Sequence, residues 1–170
     1  MVEIHDLYEE FERLRKAGEG YDDGRQKALY DQVFDLFGVS VPDFTPEEMI
    51  NGFKCGTELL QLNIAGVMIS EHYFHPDYVP VMKESVEEDV WITNYLFIQT
   101  LRDHLTKDEL IELLKQSLHS HHHQVRWNSL IAVKEENLPE LENEVRKLFD
   151  DPDSKLGRYA KRIAKAMKDS

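Results

Sequence analysis

The sequence predicts an all-α chain of stacked helical hairpins. Three observations carry this expectation: apolar residues recur at three and four through almost every segment, helix-start signals return at regular intervals, and the chain lacks the period-two alternation of strands.

In EIHDLYEEFERLRKAG, Ile4, Leu7, Tyr8, Phe11 and Leu14 share one face while Glu9, Glu10, Glu12 and Arg13 point outward, so a helix is expected to run to Gly18. After the turn residues GEGYDDG, the segment RQKALYDQVFDLFGV gathers Leu29, Val33, Phe34 and Phe37, with Gly38 as its stop. These two helices form an N-terminal pair or cap over residues 1–44 of a single 170-residue domain. The repeats follow over 45–170. Thr45 with Pro46, Glu47 and Glu48 supplies a hydroxyl cap, a proline at the first helical position and early negative charge. Asp77 opens DYVPVMKES, Thr106 to Glu109 is a capping box before KDELIELLKQSL, Pro139 opens PELENEVRKLF, and Asp153-Ser154 opens SKLGRYAKRIAKAM.

The apolar phases of TELLQLNIAGVMIS, DVWITNYLFIQTL, QVRWNSLIAVKEE and SKLGRYAKRIAKAM superimpose when Leu59, Val90, Val125 and Leu156 are equivalent, giving intervals of 31, 35 and 31 residues. Ile64, Tyr95 and Leu130 then fall five later; Val67, Ile98, Val133 and Ala164 fall eight later, with Lys161 breaking the pattern at the last fifth position. A shorter second helix lies between successive members. One such hairpin cannot bury its own apolar stripe, so neighbours must stack and share a core.

HHHQVRWNSLIAV and DDPDSKLGRYAKRIAK resemble the start of the first helix in HEAT-type repeats, where a polar or Asp-Pro turn precedes a Val-Arg-x-x-Ala-x-x-Ala-like run. The likeness covers roughly residues 57–168. It implies a short alpha-alpha superhelix, a HEAT-like solenoid. The period is shorter than the standard one and closer to the compact units of bilin lyases. The arginine after the valine occurs only at Arg126; Trp91, Leu60 and Gly157 hold the matching places. The Thr-Pro-Leu-His and Trp-Leu-Gly-Tyr cues of ankyrin and tetratricopeptide repeats are absent.

Charge narrows the classes of partner. The formal charge of −13 arises from 33 acidic and 20 basic residues; residues 1–143 carry 28 acids against 12 bases, and residues 144–170 carry 5 against 8. A negative field repels phosphate backbones and attracts basic partners, so no nucleic acid is expected as a ligand. The basic tail fits a terminal helix with cations near its C-terminal dipole end. MVEIHDLYEEFERL has no basic and apolar leader pattern, and no apolar run approaches the ~20 residues that span a bilayer, so a cytoplasmic chain with no membrane partner is expected. The one cysteine, Cys55, suits a reducing compartment; a buried, inert thiol is expected there.

His119, His121, His122 and His123 are read as turn residues before QVRWNSLIAV, because consecutive turn residues diverge whereas metal ligands must converge. A metal site or pH sensing are the competing uses. His72 and His75 in SEHYFHPDY are expected in a loop, since the residue before proline disfavours helix; His104 is expected at a helix end. Trp91 and Trp127 are expected to fill the seams between hairpins. The chain holds no P-loop, GxGxxG, GxSxG or CxxC pattern, and pairs such as Glu87-Glu88 or Glu135-Glu136 fit solvated helix faces, so no catalytic residues, cofactor or metal are expected.

The second helices of HEAT-like arrays commonly line the concave face. The resemblance therefore implies partner contacts at Tyr78, Glu84, Asp108, Glu109, Glu112, Glu140 and Glu142, which would suit a basic protein. In profile the chain is similar to immunity proteins that neutralise bacterial secreted toxins, several of them nucleases with basic surfaces. A HEAT-like scaffold or adaptor is the alternative. HEAT-like enzymes, DNA glycosylases or lyases, fit less well, because the former use a basic groove and no pocket for a tetrapyrrole is legible in the sequence.

Overall fold

The computed structural model describes Arg13 and residues 44–55, 58–89 and 91–168. The helices expected before residue 44, with their stops at Gly18 and Gly38, otherwise lie outside the described residues. Every regular element among the described residues is helical: α1 (Pro46–Cys55), α2 (Glu58–Met68), α3 (Tyr78–Glu87), α4 (Trp91–Leu101), α5 (Lys107–Ser117), α6 (His123–Glu135), α7 (Glu142–Lys147) and α8 (Ser154–Lys168). The chain divides into two compact units, Met1–Tyr78 and Val79–Ser170, so the division falls inside the stretch expected to form repeats.

In the first unit, α1 and α2 pack together. Thr45 opens α1 with a reciprocal cap. Its hydroxyl and backbone N–H both donate to Glu48 Oε2 at 2.7 Å, and Glu48 N–H donates back to Thr45 Oγ1 at 3.3 Å. Met49 and Phe53 of α1 and Ile64, Ala65 and Met68 of α2 are buried. Gln61 Nε2 donates to Phe53 O at 2.9 Å, which satisfies one of the carbonyls that the end of α1 leaves without an intrahelical donor. Cys55, expected to be buried, is exposed instead, because it is the last residue of α1 and lies beyond the face that α2 covers.

In the second unit, α4 packs on α6 and α6 on α8, while α5 and α7 pack against α6 and α8 respectively. Helices at equivalent points of the repeat are therefore successive neighbours, and α6 has company on several sides. This explains why the sequences of α4 and α6 have a diffuse apolar pattern, whereas α8, at the end of the series, separates its faces sharply. Phe97, Ile98, Leu101, Leu130, Val133 and Leu156 are buried at this junction. Lys161 is exposed and sits over the Phe149 ring at 5.8 Å, which accounts for its break in the apolar phase.

The segment PELENEVRKLF, expected as one helix, is broken into a 3-10 turn Pro139–Leu141, α7, and a second 3-10 turn Leu148–Asp150. The second of these turns lies where α8 approaches closely: a Cβ on Gly157 of α8 would stand 2.8 Å from Phe149 O. The tightened backbone runs directly against α8, and only a glycine fits beneath it.

Candidate functional site

Two sets of polar side chains stand out in the second unit. The first runs through the turns that precede the longer helices. Asp89 has a left-handed backbone, φ 57°, and its carboxylate accepts from Ser120 Oγ and, at 3.2 Å, from the His121 N–H. Ser120 O in turn accepts from Arg126 Nη1 at 2.8 Å. Arg126 then grips Asp151 with two bonds, Nε to Oδ2 at 2.8 Å and Nη2 to Oδ1 at 3.1 Å. Asp151 also accepts from the Asp153 N–H at 2.8 Å, and Asp153 caps α8 through Lys155 N–H at 2.8 Å. Asp89, Ser120 and Asp151 are each 31 residues apart, so one turn is bonded to the next in a ladder. Burial works against ionisation of Asp151, yet the Arg126 guanidinium and the Asp153 N–H hold its carboxyl below its ordinary range.

The apolar phases of the helices carry no trace of this ladder, which lies in the turns between them. The 31-residue recurrence of short polar residues was its signal.

The histidines stand around the middle rung. His119, His121 and His122 lie in the turn, and His123 is the first residue of α6. His119 Nε2 meets Glu144 Oε2, and Lys147 Nζ reaches the same carboxylate at 2.7 Å. Lys147 and His119 together hold Glu144 below its ordinary pKa. Among the described residues, no three histidine, cysteine or acidic side chains converge as ligands for a metal ion. His72 and His75 lie in the turns before α3, and His75 Nδ1 accepts from the Asp77 N–H at 3.3 Å. His104 follows the end of α4. Trp127 stacks on Tyr159, with ring centroids 5.2 Å apart and planes 20° from parallel, so it does span the α6–α8 seam. The side chain of Trp91 is outside the described residues.

The second set is the row of carboxylates expected to contact a partner. Glu84 of α3, Asp108, Glu109 and Glu112 of α5, and Glu140 of the 3-10 turn are all exposed; Glu142 of α7 is half-buried. Lys83 reaches Glu109 at 4.0 Å and Lys107 reaches Glu140 at 2.6 Å, so side chains of α3, α5 and the 3-10 turn are within reach of one another. Most of the row is already engaged within the chain. Glu109 accepts from Thr106 N–H at 3.0 Å and from its hydroxyl at 2.7 Å, the capping box legible in the sequence, and these bonds lower its pKa. Lys107 lowers that of Glu140. Glu112 pairs with Lys115, and Glu142 with Arg146 at 2.6 Å. Asp108 has no ion-pair partner among the described residues.

Tyr78 departs from the exposed contact expected of it. Only 4% of its surface is accessible, its ring meets His75 edge-on at 6.0 Å, and burial together with Asp77 raises its pKa. The turn before it is closed by the Tyr78 N–H donating to His75 O at 2.9 Å, and this keeps the His75 ring against the tyrosine.

No helix among the described residues is long and apolar enough to cross a membrane. No family model matches the chain, and no curated protein or solved structure matches it.

Proposed function

We propose that this chain is a non-catalytic protein-binding module of HEAT-like repeats that holds a basic protein against its second helices. The most concrete form of the proposal is an immunity protein that covers the active surface of a basic bacterial toxin, such as a nuclease. The observation that carries the reading is the exposed carboxylate row from Glu84 through Asp108 and Glu112 to Glu140, on elements that ion pairs link in succession.

Asp108 and Glu112 are one turn apart and face the same way. The ion pairs that occupy their neighbours are solvent-exposed, and such pairs contribute only about 0–1 kcal/mol, so a basic partner can displace the lysines at small cost. A field of this sign also speeds encounter with a basic surface.

The test is capture from the native organism, purification of any basic polypeptide retained, and measurement of its association rate against ionic strength. Glu84→Lys, Asp108→Lys and Glu112→Lys together are expected to slow association at least about tenfold at low salt, with helix content unchanged. Association that ignores both salt and these substitutions would sink the proposal.

A further inference from the structure

The basic residues of the second unit are distributed in an unexpected way. Arg102, Lys107, Arg126 and Arg146 are among those that each hold a carboxylate. On α8, by contrast, Lys155, Arg158, Arg162 and Lys165 are all exposed and have no ion-pair partner among the described residues. These four recur at three, four and three, which places them in one stripe over about 15 Å of helix, opposite the buried Leu156, Ala160 and Ile163.

Helix stability explains only part of this stripe. Cations favour the last turn of a helix, where the dipole is negative, and are disfavoured in the first. Lys155 and Arg158 lie at the start of α8, whose first turn contains no acidic residue. In a chain with 33 carboxylates, this leaves a concentrated positive face turned to solvent.

A second feature adjoins it. A small open notch between the end of α6 and the end of α8 is lined by Val133, Lys134, Asn137, Ile163, Ala166 and Met167. Its walls are mainly apolar. Lys134, also without an ion-pair partner among the described residues, stands at its rim, and Ala166 is one turn beyond Arg162. An apolar recess bordered by unpaired cations has the anatomy of an interface that takes one apolar anchor and surrounds it with charge.

We infer that the outward face of α8 docks an acidic polypeptide segment, one apolar side chain of which seats in this notch. A uniformly charged polyanion would leave the notch unused and would face the net −16 of residues 1–143. A second copy of the chain would bring a charge of −13 against −13. A short acidic segment matches both features and carries less opposing charge. This inference is independent of the carboxylate row, which calls for a partner of opposite sign.

The experiment uses the full chain and a fluorescein-labelled synthetic peptide with a single leucine between two runs of glutamate, followed by fluorescence anisotropy. Binding is expected, with loss of affinity on replacing the peptide leucine with serine, and a loss of about tenfold or more in Arg158→Glu/Arg162→Glu/Lys165→Glu. Circular dichroism checks the fold of that variant, and the milder Arg162→Gln/Lys165→Gln, with a smaller loss, replaces it should it unfold. The inference fails if charge reversal leaves binding unchanged, or if the serine peptide binds as well as the leucine peptide. It also fails if oligothymidylate or phosphatidylserine vesicles bind α8 more tightly than the peptide. Self-association in sedimentation that disappears in the charge-reversed variant would instead assign the face to a second copy.

Discussion

Arg126→Met tests whether the turn ladder holds the second unit together. The substitution removes three donors at once, two to Asp151 and one to Ser120 O, from a guanidinium whose side chain is 12% exposed and a carboxylate that is 4% exposed. Breaking a buried pair by deleting one partner costs about 3–5 kcal/mol. Asp151 keeps the Asp153 N–H, so the lower end, about 3 kcal/mol, is expected. Against a total stability of about 5–15 kcal/mol this is a large fraction.

Urea unfolding followed by circular dichroism and by tryptophan fluorescence should show the midpoint falling by about 1–3 M, with little change in slope. The pH dependence adds a sign. The folded pKa of Asp151 is depressed, so its contribution is present above the unfolded value of about 3.9 and is lost as pH falls through the lower folded value. The gap between the wild-type protein and Arg126→Met should therefore narrow in acid. A double-mutant cycle with Asp151→Asn should return a coupling of about 1–3 kcal/mol. A loss below about 1 kcal/mol for Arg126→Met, or strict additivity with Asp151→Asn, would refute the claim that this pair joins the turns.

Gly157→Ala would stabilise an ordinary helix by about 1 kcal/mol, but here the new Cβ meets Phe149 O at 2.8 Å, so a loss of about 1–3 kcal/mol is expected in thermal or urea unfolding. Glu144→Gln should flatten the acid limb of the stability profile, because the lowered folded pKa of Glu144 adds stability above about pH 4.3 that is lost on further acidification; urea midpoints across that range provide the measurement.

Much of the helical layout was legible because its signals are local. Thr45 and Thr106 mark helix starts through side chains that reach only three residues ahead: Thr106 forms the box that the sequence implies, and Thr45, expected as a hydroxyl cap, forms a box with Glu48 as well. The buried phase Ile64, Ile98, Leu130 and Val133 follows from spacing alone. Features set by distant contacts were harder to read. The 3-10 turn that ends PELENEVRKLF lies where α8 approaches closely, and the burial of Tyr78 is set by packing that its sequence neighbours do not reveal. For the candidate site, composition revealed the carboxylates but not their lysine partners. Lys83–Glu109 and Lys107–Glu140 join residues 26 and 33 positions apart, a separation at which no local rule operates.

Among the bonds that fasten one hairpin to the next, those at Asp89, Ser120, Arg126 and Asp151 lie in the turns, away from Asp108 and Glu112 of α5. Those two carboxylates take no part in that framework, whereas Glu109 and Glu140 serve both, through Lys83 and Lys107. Substitution at Asp108 or Glu112 can therefore alter the outer surface while the register endures, whereas a lesion at one rung of the turns loosens the junction it closes.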